Sequence, residues 1–207
     1  IAYSVNSDSF LPAITFDDPK NKTLSGSTLQ VDGSLDLMYY RKDLVVSGNK
    51  ENFLGIILKH KLSQITTTIN ATATNFQITN IKASFIPTHE ELSINLANAK
   101  MTYSTGKKEA AIDFGTSINS TLITSRPTII AAAENNSTFF NIEIMRIGFL
   151  TVEDITAYTD LEVKPGVKYT ININISPKDT YLIHKNQSAV LINGQIWMRH
   201  NLGANTN

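Results

Sequence analysis

Apolar residues in this chain recur at every second position, in one short run after another, and nowhere keep helical spacing for three turns. In residues 168–176, Tyr169, Ile171, Ile173 and Ile175 point one way, while Thr170, Asn172 and Asn174 point the other. That alternation is a strand with one wet face, because successive side chains leave a pleated chain on opposite sides. In residues 138–146 the same reading turns Phe140, Ile142 and Ile144 toward a core. Leu92, Ile94 and Leu96 alternate again, and Ile78, Ile81 and Phe85 do so with a slip of one residue near Asn80 that predicts a bulge. Turn-forming residues separate the runs: Gly48-Asn49, Pro87-Thr88, Gly106, Glu134-Asn135-Asn136 and Pro165-Gly166. Strands at this spacing predict an antiparallel β-sandwich rather than βαβ units. Short helical turns are expected only near residues 151–158.

Composition narrows the function classes. The 207 residues suffice for one large sandwich or two small ones. Formal net charge is +0, which argues against a nucleic-acid partner, since phosphate contacts require a basic excess. There is no Cys, hence no disulfide, thiol nucleophile or Cys-based metal site. The longest apolar run, residues 129–133, is far too short to cross a bilayer. The first residue is Ile rather than Met, so the expectation is a mature product or a fragment.

Residues 1–42 hold four short strands, around Ala2, Ala13, Leu29 and Leu37, too few to close a sandwich alone. Residues 36–69 read as a strand DLMYYR, a loop with Gly48-Asn49, a second strand FLGIILKH and a Thr-rich third, SQITTTINA. Residues 52–176 supply enough strands for a seven-to-eight-strand sandwich. Residues 177–188 are polar and read as a linker; AVLI, an Asn193-Gly194 turn and IWM then give a hairpin signal. The expected division is residues 1–50, residues 51–183, and residues 184–207 as a linker plus the start of a third domain.

No constellation of residues suggests bond-making chemistry, and the chain is expected not to be an enzyme. No G-x-S-x-G, P-loop, G-x-G-x-x-G or H-E-x-x-H string occurs. His60, His89, His184 and His200 show no ligand spacing, and His60 reads as a structural strand-end histidine. Asp17-Asp18 and Asp32 with Asp36 lack the spacing of a calcium loop, and Glu90-Glu91 follows a turn, so all read as solvated carboxylates. No catalytic residue, cofactor or metal site is expected. Tyr39, Tyr40 and Trp197 remain as side chains able to stack on a ligand, with two restrictions. Adjacent strand residues face opposite ways, so one of the two tyrosines must point inward. Trp197, the only Trp, reads more simply as core of the next domain.

Ala2-Tyr3-Ser4, Asp36-Leu37-Met38-Tyr39-Tyr40, Leu58-x-His60-x-Leu62-Ser63-x-Ile65 and Lys164-Pro165-Gly166-x-Lys168-Tyr169-Thr170, in this order and spacing, resemble the fimbrillin-type surface proteins of Bacteroidetes. The resemblance covers residues 1 to about 183. It implies two tandem sandwich domains of transthyretin-like build and display on the outer-membrane surface, in a fimbrium, as pilus subunit, anchor or tip. In that family much more chain precedes the segment equivalent to Ala2-Tyr3-Ser4, so the first domain is expected to be incomplete, with any lipid anchor outside this chain. A second string, Gly194-Gln195-Ile196-Trp197-Met198-Arg199-His200-Asn201-Leu202-Gly203-Ala204-Asn205, resembles the opening of the Fibrobacter succinogenes major paralogous domain. It implies a further module beyond residue 207. Together these imply a non-catalytic cell-surface adhesin component. Its partners would be other pilus or surface subunits met through strand edges, along with a host or glycan ligand. The alternative is a glycan-binding surface lipoprotein of a polysaccharide-uptake system, against which the low aromatic content counts (8%).

Overall fold

A computed structural model describes residues 1–6, 11–133, 137–177, 180–192 and 195–198. It is all-β. In chain order the strands are β1 (Ala2–Val5), β2 (Ile14–Phe16), β3 (Ser27–Asp32), β4 (Leu37–Tyr40), β5 (Lys59–His60), β6 (Ser63–Asn70), β7 (Ile78–His89), β8 (Glu91–Asn95) and β9 (Met101–Tyr103). They continue with β10 (Lys107–Ala111), β11 (Leu122–Thr124), β12 (Thr128–Ile130), β13 (Ser137–Ile147), β14 (Leu150–Glu162), β15 (Lys168–Asn174), β16 (Thr180–His184), β17 (Gln187–Ile192) and β18 (Gln195–Met198). The four expected strands of residues 1–42 are all present. A single 3-10 turn, Thr72–Thr74, is the helical content among the described residues.

Two cores organise the sheets. The first lies between the sheet β1-β4-β5 and the sheet β2-β3-β8-β9, and gathers Val5, Leu29, Val31, Leu37, Tyr39, Leu92 and Ile94. The second lies between β10-β7-β13-β14 and a sheet in which β6 pairs with β11, β12 and β15; Ile65, Ile69, Phe85, Phe140 and Ile171 fill it. Alternation explains the assignment: in β6, Ser63, Ile65, Thr67 and Ile69 are all buried while every intervening residue is partly open.

The strands of residues 1–42 indeed do not close a sandwich alone. Their sheet is completed by β8 and β9, with Leu29 opposite Ile94 and Val31 opposite Leu92. Leu92, Ile94 and Leu96 therefore belong to the first core although they lie in residues 51–183. Residues 129–132 tie the two cores directly: Ile130 and Ala132 pack in the second, Ile129 and Ala131 in the first. A short apolar strand can serve two cores because its two faces point opposite ways.

Four local readings are corrected. FLGIILKH is not a strand beyond Lys59–His60, because residues 41–58 form no strand and lie exposed but for the partly covered Leu58. Residues 151–158 are not helical turns but part of β14, whose Thr, Val, Ile and Tyr suit a pleated chain. The stretch 177–188 is not a linker: it contains β16 and the start of β17, joined through Lys185 and Asn186, both at positive φ (49° and 61°). Two successive positive-φ residues make a tight hairpin whose twist matches its strands, here without the Asn-Gly pair that advertises it. The hairpin signalled by Asn193-Gly194 forms, with Ile192 opposite Gln195; those two turn residues lie outside the described set. Finally, Ile144 is only partly buried. A register shift between Ile142 and Ile144 flips the phase of β13, so Met145 and Ile147 are buried in its place. The bulge expected near Asn80 is present, since Arg146 and Ile147 pair with Asn80 and Ile78. The pairing is antiparallel throughout except for β15, which runs parallel to β6.

Exposure of residues 41–58 sets one expectation. Trypsin should cut first after Arg41, Lys42 or Lys50, before any site in β6 or β7, because cleavage needs unpaired, accessible backbone. The two fragments should stay together on a non-denaturing column, held by the β3–β8 ladder and the shared first core, and separate in denaturant. Spontaneous separation of the nicked fragments would show that those contacts are weak.

Candidate functional site

The tyrosine pair resolves as strand geometry requires. Tyr39 faces inward and is 3% exposed; its hydroxyl donates to the Leu96 carbonyl at 2.6 Å. The Lys61 ammonium lies 5.4 Å from its ring centroid. Tyr39 is thus a core residue and not a stacking platform. Tyr40, opposite Ala2 in the β1–β4 ladder, is partly open, and Trp197, opposite Val190 in the β17–β18 ladder, is exposed. The structure brings none of the three together with another.

Burial raises the pKa of the Tyr39 phenol, with the Arg41 charge opposing. A phenol raised in the folded state binds its proton more tightly there than when unfolded. Its contribution is full below the unfolded value near 10 and is lost as pH rises through the folded one. Tyr39→Phe should cost about 1–2 kcal/mol at neutral pH, since a buried carbonyl loses its donor. The deficit should shrink above pH 10. A deficit constant from pH 7 to 11 would show that the phenol binds its proton equally well in the folded and unfolded chain, so that burial does not raise its pKa.

His60, His89 and the Asp32 and Asp36 carboxylates have local partners, whereas the buried Thr67 hydroxyl has none among the described residues. His60 Nδ1 lies 2.8 Å from Asp36 Oδ1, the strand-end role expected of it. His89, buried, donates from Nδ1 to the Ser104 carbonyl at 2.7 Å, and the Lys107 ammonium lies 2.8 Å from its Nε2. Burial holds Lys107 below the usual lysine range, and burial together with Lys59 does the same for Lys61. Asp32 is pushed up by burial, but hydrogen bonds from Ser34 and Lys108 outweigh this and leave it lowered. Lys108 Nζ lies 2.9 Å from Asp32 Oδ1. Among the described residues no group of three or more His, Asp or Glu is gathered as a metal site would need.

What the surface does offer is apolar. Within residues 41–58, Val45, Val46, Phe53 and Ile57 are 101%, 70%, 87% and 72% exposed, and Leu54 and Ile56 are about half exposed. Isolated exposed leucines are ordinary, whereas a contiguous exposed run of this kind marks an interaction surface. At the far end of the second core, Phe76, Ile147, Phe149, Leu150 and Ile175 line an open groove of about 710 Å3. Phe76 and Phe149 meet there edge to face at 6.0 Å. Beside it, β14 is the last strand of its sheet, and among the described residues no strand pairs with its outer edge. FLGIIL looks in sequence like any buried strand; only the fold reveals that, among the described residues, nothing covers it. A shallower polar hollow lies on the sheet of the first core, lined by Gln30, Glu91, Ser93, Thr102 and Ser104 with Tyr103 at its side.

No protein-family model matches the chain, and no curated protein matches it. Four chains among the solved structures are similar, two of which are as follows. One is a candidate cell adhesion protein from Bacteroides uniformis, 18% identical, with 78% of this chain and 63% of that one covered at a TM-score of 0.46. The other is a candidate cell adhesion protein from Bacteroides thetaiotaomicron, 12% identical, with 75% of this chain and 60% of that one covered at a TM-score of 0.35. The chain thus spans less than two thirds of the length of either, and likeness at this distance does not carry function across.

Proposed function

We propose that this chain is a non-catalytic, adhesin-like component of a bacterial outer-membrane surface that joins other subunits of a fimbrium by strand addition. The observation that carries the reading is the exposed apolar run of residues 53–58, which lies between β4 and β5 and pairs with no strand among the described residues. Unpaired N–H and C=O groups next to exposed apolar side chains are a hazard unless a neighbour supplies a strand. Main-chain hydrogen bonds would then give affinity, and apolar side chains register. The order of DLMYY, LKHKLSQI and KPGVKYT supports the same reading. Concentrated protein should form filaments or detergent-resistant ladders visible by electron microscopy and gel electrophoresis. A strict monomer at all concentrations would overturn it.

The glycan-binding reading has one observation in its favour, the hollow beside Tyr103, whose carboxylate, amide and hydroxyl groups are of the kind that meet sugar hydroxyls. If it holds, the chain should be retained on a polysaccharide column, and Gln30→Ala should weaken retention without altering the fold. Absence of retention on a broad polysaccharide panel would remove it.

A further inference from the structure

Residues 53–58 have a counterpart elsewhere on the same molecule. The run has Lys50, followed by Glu51 and Asn52, before it and Lys59 and Lys61 after it, and Phe53, Leu54, Ile56 and Ile57 are exposed. The free strand β14 has the opposite character: Glu153, Asp154, Asp160 and Glu162 sit in it with no Lys or Arg, and its Ile155 and Tyr158 are 44% and 42% exposed. β14 ends one sheet and β15 borders the other, with the Tyr158 hydroxyl 3.5 Å from the Asn172 carbonyl between them.

Spacing joins the two features. Lys50 and Lys59 are nine positions apart, and so are Glu153 and Glu162. Laid antiparallel with Lys50 opposite Glu162, the segment places Lys59 opposite Glu153. The same register sets Leu54 opposite Tyr158 and Ile57 opposite Ile155. Opposite-charge and apolar cross-strand pairs both stabilise a ladder. The ten residues from Lys50 to Lys59 span about 33 Å of extended chain, within the thirteen residues of β14.

We propose that residues 50–59 of one copy of this chain pair antiparallel with the outer edge of β14 in a second copy, in the register Lys50–Glu162, Ile57–Ile155 and Lys59–Glu153. The inference rests on the strand-addition reading and names its donor and acceptor. The donor lies in the β4–β5 connection and the acceptor at the edge of the second core. The contact is therefore head-to-tail, and each bound copy presents a fresh donor and a fresh edge. Flanking ion pairs make the association salt-dependent, because exposed charges are screened within about 10 Å at 0.1 M salt.

The absence of Cys makes the register directly testable. Ile57→Cys and Ile155→Cys alter exposed side chains, so each variant should melt like the parent. Mixed under mild oxidation, the two should form a disulfide-linked dimer at least about tenfold faster than Ile57→Cys mixed with Phe149→Cys, since only directly opposed residues bring their Cα atoms within disulfide reach. Lys50→Glu with Lys59→Glu should weaken self-association by about tenfold, and adding Glu153→Lys with Glu162→Lys should restore it. If the chain self-associates but the two mixtures react equally fast, donor and acceptor are misassigned while strand addition stands. If it never self-associates, both readings fall. Monomeric co-sedimentation with vesicles of anionic phospholipid, lost on Phe53→Asp, would overturn the pairing in favour of a lipid surface.

Discussion

Replacing Phe140 by Ala should lower the stability of this protein by about 3–5 kcal/mol. Phe140 is fully buried near the middle of β13, between β7 and β14, the most extensively paired part of its sheet. Its ring meets that of Phe85 edge to face at 5.6 Å, with both rings sealed from solvent. Truncation loses the transfer energy of the ring, opens a cavity that flanking strands cannot collapse into, and removes an aromatic contact worth about 1 kcal/mol. The two cores share residues 129–132, so the loss should appear in the unfolding of the whole chain rather than of one sandwich. Urea denaturation followed by far-UV circular dichroism measures it. A loss below about 1 kcal/mol would mean that Phe140 does not face the core.

The legibility of this fold follows from where its information is local. Alternation is local, so β4, β6, β8 and β15 could be read directly, and the four short strands of residues 1–42 with them. Pairing is not local. Nothing in STLQVD says that its partner is ELSIN some sixty residues later, so the expected division at residue 50 followed the turn residues while the ladder runs across it. Bulges defeat simple phase counting: strict alternation turns Ile144 inward, and the shift beside it hands the core position to Met145. Burial is likewise a property of the whole molecule. DLMYY holds a tyrosine that the chain buries, and FLGIIL holds a strand-like run that it leaves bare. The candidate surface was therefore the least legible part, because it is defined by what fails to cover it.

Gly33→Ala should cost about 3 kcal/mol, near the top of the range for overpacking. Gly33 follows β3 and is pressed against the chain where β7 passes into β8. Its N–H donates to the Glu90 carbonyl at 2.7 Å. A Cβ added there would stand 2.2 Å from the His89 carbonyl oxygen, 3.0 Å from that of Glu90 and 3.1 Å from the Ala131 Cβ. Its φ lies outside the left-handed region, so the cost is steric rather than torsional. Two of the three atoms are backbone, and that backbone is fixed on both sides. His89 N–H donates to the Ala131 carbonyl at 3.0 Å, and Glu90 N–H to that of Gly106 at 3.2 Å. Relief would require moving the junction through which the first core receives β8 and Ala131. The contrast is Gly48, in the exposed β4–β5 connection with nothing within 4 Å of an added Cβ. Gly48→Ala should change stability by no more than about 0.5 kcal/mol, and could raise it by restricting the unfolded chain. Equal denaturation midpoints for the two variants would mean that the close approach at Gly33 does not exist, and that the two cores meet with room to spare.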